Sequence, residues 1–124
     1  MSAAQSTPWA VFRRRGSRQR ILHSEGADVE FVHGDGTRWR SPILDIGAGG
    51  LSFALPEGAP PLVPGTRLDG TVVRLGDHRI RGRLTIAHAT PEFAAGVVCG
   101  ARFGASTEED ALAFALVLAS VAHL

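Results

Sequence analysis

The side chains best equipped for chemistry in this chain are arginines near its start. Arg14 and Arg18 stand in an R-x-x-x-R spacing, with Arg13 directly before them. A guanidinium is a planar fork that can grip a phosphate bidentately, meet the O6/N7 edge of a guanine in its plane, or stack on a base; an ammonium does only the first. A second group is Asp45-Ile46-Gly47-Ala48-Gly49-Gly50. It sets a carboxylate acceptor ahead of glycines whose backbone N–H groups a ligand can approach with no side chain in the way. Each group also has a plainer explanation. A terminal charge run is often simply solvated, and glycines serve tight turns as readily as ligand approach.

No catalytic constellation competes with these two. His23, His33, His78, His88 and His123 never fall at metal-ligand spacing, and Cys99 has no histidine beside it. Gly47 to Gly50 lacks the spacing of a dinucleotide fingerprint, and the chain has no lysine to complete a phosphate-binding G-K-[ST]. The sequence therefore points away from an enzyme, and toward neither a metal nor a cofactor.

The 124 residues are enough for one domain, and a formal charge of +1 arises from 13 basic against 12 acidic residues. All the basic residues are arginine, and they are unevenly spread. Residues 1 to 24 hold five arginines and no acid, and the remainder holds eight arginines and all twelve acids. With 44% hydrophobic and 20% charged residues, the chain can build a core and is not of the intrinsically disordered class. One cysteine excludes an internal disulfide, and the apolar run from Ala111 to Leu118 is too short to cross a bilayer. The Arg13-Arg14-Arg15 run is followed by polar residues rather than the apolar segment of an export signal. A cytoplasmic protein with no membrane insertion is expected.

These candidate residues must be positioned by strands. Val29 and Phe31 alternate with Asp28 and Glu30, and Gly34-Asp35-Gly36 supplies a turn before a second strand from Trp39 to Leu44. Leu51, Phe53 and Leu55 predict a third strand that stops at Pro56, and a proline-rich loop follows over 56–66. Thr71 to Leu75 and Arg79 to Ala87 flank Gly76-Asp77 as a hairpin, with Ile80, Leu84 and Ile86 on one face and Arg79, Arg81 and Arg83 on the other. A sixth strand from Gly96 to Phe103 turns Val97, Cys99, Ala101 and Phe103 to one side. Six short strands suggest a closed antiparallel barrel or a sandwich. Ser106 with Glu109 has capping-box spacing, which predicts a helix over about 107–122 whose nearly all-apolar surface needs cover on the barrel and on a second side. The expected organisation is a flexible tail over 1–12 and one domain over 13–124, with an arm at 13–20 and a barrel at about 21–104.

The order of these features resembles the PilZ domain, a bacterial receptor for cyclic di-GMP, from about Arg13 onward. Arg14-Arg15-Gly16-Ser17-Arg18 matches that family's R-x-x-x-R. Asp45-Ile46-Gly47-Ala48-Gly49-Gly50 matches its [D/N]-x-S-x-x-G at Asp45 and Gly50, with Gly47 in the usual serine position, and Gly100-Ala101-Arg102-Phe103 is similar to its last barrel strand. The resemblance implies a mainly β fold, a six-stranded antiparallel barrel of Greek-key or split-barrel type with a basic arm and a C-terminal helix. It implies a non-enzymatic receptor or adaptor that binds cyclic di-GMP through Arg13, Arg14, Arg18, Asp45, Gly47, Gly49 and Gly50, orders its arm, and signals to a protein effector in motility, biofilm or exopolysaccharide control. Arg13 in the place before R-x-x-x-R implies a stacked dimer of the nucleotide. Alternatives are a degenerate adaptor that has lost the nucleotide and works through protein contacts, including a homodimer through the apolar helix, and a single-stranded nucleic-acid barrel. The last lacks an aromatic-rich strand on which bases could stack, and DNA is not an expected partner. The face of Arg79, Arg81 and Arg83 is either solvated and paired with barrel acids, a surface for an acidic partner, or an extension of the ligand site. Trp9 and Trp39 are expected in packing.

Overall fold

The computed structural model describes residues 11–13, 19–21, 26–92 and 96–121. Its elements are β1 (Val11–Arg13), β2 (Gln19–Ile21), β3 (Ala27–Val32), β4 (Arg38–Gly47), β5 (Gly50–Ala54), β6 (Arg67–Leu75), β7 (His78–Glu92), β8 (Gly96–Ala105) and α1 (Glu108–Val121). The sheet runs in the order β1-β2-β4-β3-β6-β7-β8-β5, and a further β4–β5 pairing closes the last six strands on themselves. Every pairing is antiparallel. The six expected strands thus form the barrel. Closure pairs β4 with β5, so neither is left as an open edge of the barrel.

Alternation decides which side chains fill the barrel. Ala27, Val29 and Phe31 of β3, Val73 and Leu75 of β6, and Ile80, Leu84 and Ile86 of β7 are all buried, and their chain neighbours face outward. On the outer surface of β3, Asp28 and Glu30 are flanked by Arg40 and Arg38 of β4 and by Arg74 of β6, at 3.2 to 3.9 Å. Phe31 and Phe53 meet inside the barrel with ring centroids 5.5 Å apart. Trp39 packs half-buried against the same core. Trp9 lies outside the described residues.

The turns obey their residues. In the β3–β4 hairpin, Asp35 Oδ1 accepts the Thr37 N–H at 2.8 Å and Gly36 takes a φ of 90° that a side chain would resist. The same Thr37 hydrogen bonds hold the Asp35 carboxyl below its ordinary value. The β6–β7 turn is Gly76-Asp77, with Leu75 and His78 paired on either side.

Two local expectations are corrected. β1 and β2 are strands that three-residue segments with little alternation gave no sign of, and they extend the sheet beyond the barrel. The helix is capped by Thr107, not Ser106. The Ser106 N–H is still engaged with the Arg81 carbonyl at 2.9 Å, so the chain leaves the sheet one residue later than the sequence spacing implied. Thr107 Oγ1 then accepts the Asp110 N–H at 3.0 Å and donates to Asp110 Oδ2 at 2.7 Å. Asp110 Oδ1 accepts the Arg81 N–H at 3.2 Å, which ties the first helical turn to β7. The Thr107 hydroxyl first, and the Arg81 amide second, lower the Asp110 carboxyl from its ordinary value.

Inward from that cap, Phe114 and Val117 enter the core, and Phe114 stands 5.0 Å from Phe103 of β8. One face of α1 therefore covers the barrel. Leu112 and Leu116, one turn apart, remain 61% exposed on the other face. Among the described residues, no helix is long and apolar enough to cross a membrane.

Candidate functional site

The Asp-led glycine segment is the β4–β5 turn. Gly47 pairs with Gly50, and Ala48-Gly49 form the two-residue connection between them. Just before the turn, Ile43 opposes Phe53 but Asp45 opposes Ser52, so one extra residue is accommodated in β4 as a bulge. Ile43 and Asp45 would share a face in a regular strand. The bulge breaks that parity: Ile43 and Ile46 both enter the core, and Asp45 is turned to the outside, where it is nevertheless only 7% exposed. Its register neighbour Ser52 is buried in the same row at 6%.

The glycines are glycines for different reasons. A Cβ on Gly50 would overlap the Ala101 carbonyl oxygen of β8, so Gly50 has its own place in barrel closure. Gly47 is buried in its pairing with Gly50. Gly49 is exposed, has no positive φ, and a Cβ there would meet nothing within 4 Å. Nothing in the fold asks for glycine at position 49. Its carbonyl accepts the Phe103 N–H at 3.3 Å, which holds the turn against β8.

The strands that flank the basic segment, β1 and β2, pair toward the strand leading into this turn. Arg14 and Arg18, with the residues between them, lie outside the described residues. Their chain neighbours Arg13 and Gln19 are register partners in β1 and β2, Gln19 pairs in turn with Ile46, and Arg20 pairs with Asp45. Both ends of the segment that carries the arginines are thereby fixed beside the strand that leads into the glycine turn. Gln19 and Arg20, 25 or more residues before Asp45 and Ile46 in the chain, are thus beside them in the sheet.

Sequence reasoning gave no role to Arg102, which the structure sets in the same neighbourhood. It is exposed on β8 as the register partner of Gly50. Its outward parity on β8 was the available signal; the closure of β5 onto β8 was not. Of the other outward arginines, Arg83 pairs with a barrel acid, its Nε 2.5 Å from Asp69 Oδ1. No group of three or more potential metal ligands occurs among the described residues. Cys99 is a buried free thiol, and burial pushes its pKa up.

The architecture is thus a closed six-stranded antiparallel barrel, covered on one side by a terminal helix and extended by β1 and β2 next to the strand that leads into an Asp-led glycine turn. The family model of the PilZ domain matches residues 12–118, and the chain belongs to that family. The fold is shared with solved structures at low identity. MrkH of K. pneumonia in complex with c-di-GMP superposes with a TM-score of 0.73 at 21% identity, covering 90% of this chain and 53% of that one. YcgR of Escherichia coli in complex with c-di-GMP gives 0.67 at 19%, over 90% of this chain and 46% of that one. The Bacillus subtilis inhibitor of motility gives 0.64 at 17%, over 86% and 49%. The chain thus spans about half the length of these structures. Curated proteins give no match.

Proposed function

We propose that this chain is a non-enzymatic receptor for cyclic di-GMP. The observation that supports the reading is the pairing of Arg20 with Asp45 and of Gln19 with Ile46, which holds the strand just after the R-x-x-x-R motif against the strand leading into the Asp-led glycine turn, in a chain of the PilZ family. Solved relatives in the same fold hold c-di-GMP, which supports this ligand over other anions. In this account Arg14 and Arg18 grip phosphate and guanine, Asp45 accepts guanine N1–H and N2–H, and the turn from Gly47 to Gly50 lies against the nucleotide. Arg13 stacks on or forks to a second nucleotide, giving a stacked pair per protomer. Several charge-assisted hydrogen bonds at about 1.5–3 kcal/mol each offset the entropy of ordering the arm. The signal then passes to a protein effector in the cytoplasm, in control of motility, biofilm or exopolysaccharide.

A second reading is a protein-contact adaptor that does not use the nucleotide. The exposed Leu112 and Leu116 of α1 favour it, since paired exposed leucines on a covered helix suit a partner or a second copy. Titration calorimetry separates the two. Saturable heat with cyclic di-GMP that vanishes in Arg14→Ala supports the receptor, and absence of heat in both the native chain and Gly47→Ser supports the adaptor.

A further inference from the structure

From Gly49 a groove of about 660 Å³ runs across the outer face of β8 and β7 to Asp69 and Gly70 at the β6 bulge. That is the size of a nucleotide pocket, in the range of roughly 300–1,000 Å³ found for small-ligand sites. Its chemistry comes from side chains outside both sequence motifs. Arg102 is the register partner of Thr85, and Arg83 that of Gly104, so Arg102 and Arg83 are diagonal neighbours on one face, their Cβ atoms roughly 7 Å apart. Both point into the groove's wall.

The charges there do not balance. Asp69 is the groove's only carboxylate among the described residues, and it is already engaged by Arg83 at 2.5 Å. Arg102 has no ion-pair partner among the described residues. The floor is also unusual. Gly104 lies opposite Arg83, has no positive φ, and a Cβ there would meet nothing within 4 Å, as at Gly49. Two glycines that the fold does not require bracket a surplus guanidinium, which leaves bare backbone and a fork donor facing the same space. A planar fork above a floor that carries no side chains fits a phosphodiester.

We propose that this groove is a phosphodiester-binding subsite in which Arg102 is the primary contact and the Arg83–Asp69 pair forms the far wall. It rests on the receptor reading and deepens it: a cyclic dinucleotide seated on the Gly47–Gly50 turn extends over β8 and places phosphate between Arg102 and Arg83. Asp69 opposes that phosphate and holds back Arg83, so it tunes affinity downward.

The test is calorimetric titration of the full chain with cyclic di-GMP, repeated for Arg102→Gln, Asp69→Asn and the exposed control Arg79→Gln. Arg102→Gln weakens binding about tenfold or more, as loss of a charge-assisted hydrogen bond demands. Asp69→Asn tightens it about threefold, and Arg79→Gln leaves it unchanged; all keep the native melting temperature. A purely structural role for Asp69 would not tighten binding. Amide resonances of Gly49 and Gly104 shift together on adding the nucleotide. If cyclic di-GMP binds with Arg14-dependent affinity but Arg102→Gln and Asp69→Asn leave it unchanged and Gly104 does not shift, the subsite is overturned and the receptor stands. If the native chain does not bind cyclic di-GMP, both are overturned.

Discussion

Arg20 of β2 is the register partner of Asp45 of β4, so the strand that follows the arginine-rich segment is hydrogen-bonded to the strand that opens the glycine turn. Segments that are separate in sequence become sheet neighbours through this short pairing. Its geometry depends on the β4 bulge, because without the extra residue Asp45 would point into the core beside Ile43.

Replacing Arg14 or Arg18 by alanine is expected to weaken cyclic di-GMP binding at least tenfold by calorimetry, while the melting temperature stays within about two degrees of the native value, since surface changes rarely exceed about 0.5 kcal/mol. Retained affinity in both variants would contradict their assignment as ligand contacts.

Gly47→Ser restores the hydroxyl usual in this family's motif. One added hydrogen bond is worth about 1 kcal/mol, which is roughly a fivefold tightening of binding. Equal affinity in the two proteins would show that the hydroxyl's role is filled another way.

The two turn glycines separate fold from function. Gly50→Ala forces a methyl against the Ala101 carbonyl and is expected to lower stability by about 1–3 kcal/mol in urea unfolding. Gly49→Ala has open space and keeps native stability, but it loses several-fold in nucleotide affinity. Equal destabilisation by both would mean that the turn glycines serve the fold alone.

The helix cap carries a pH dependence. Asp110 has a carboxyl lowered by Thr107 and by the Arg81 amide, so its contribution is present above the ordinary value of 3.8 and is lost as pH falls through the lowered folded value. Asp110→Asn should therefore be less stable than the native chain near neutrality, with the difference shrinking as the pH falls below 3.8 in thermal melts. Thr107→Ala removes the cap itself at about 1 kcal/mol.

Much of this was legible in the sequence, and the failures have local causes. Period-2 alternation in β3, β6, β7 and β8 marked four of the six barrel strands because each has one face in the core and one in water. β1 and β2 escaped because three residues cannot display a period. The bulge at Leu44 escaped because it depends on how β4 meets β5 rather than on any residue type. Thr107 won the cap from Ser106 through a sheet hydrogen bond to Arg81 that sequence spacing cannot see. Arg102 could be placed on an outward face, but its meeting with Gly50 required the barrel to close.

Titrating the native chain with cyclic di-GMP at micromolar concentration tests whether it is a receptor for that nucleotide. Saturable binding with two nucleotides per protomer is expected. Absence of heat would contradict the receptor, and a stoichiometry of one would contradict the stacked pair assigned to Arg13.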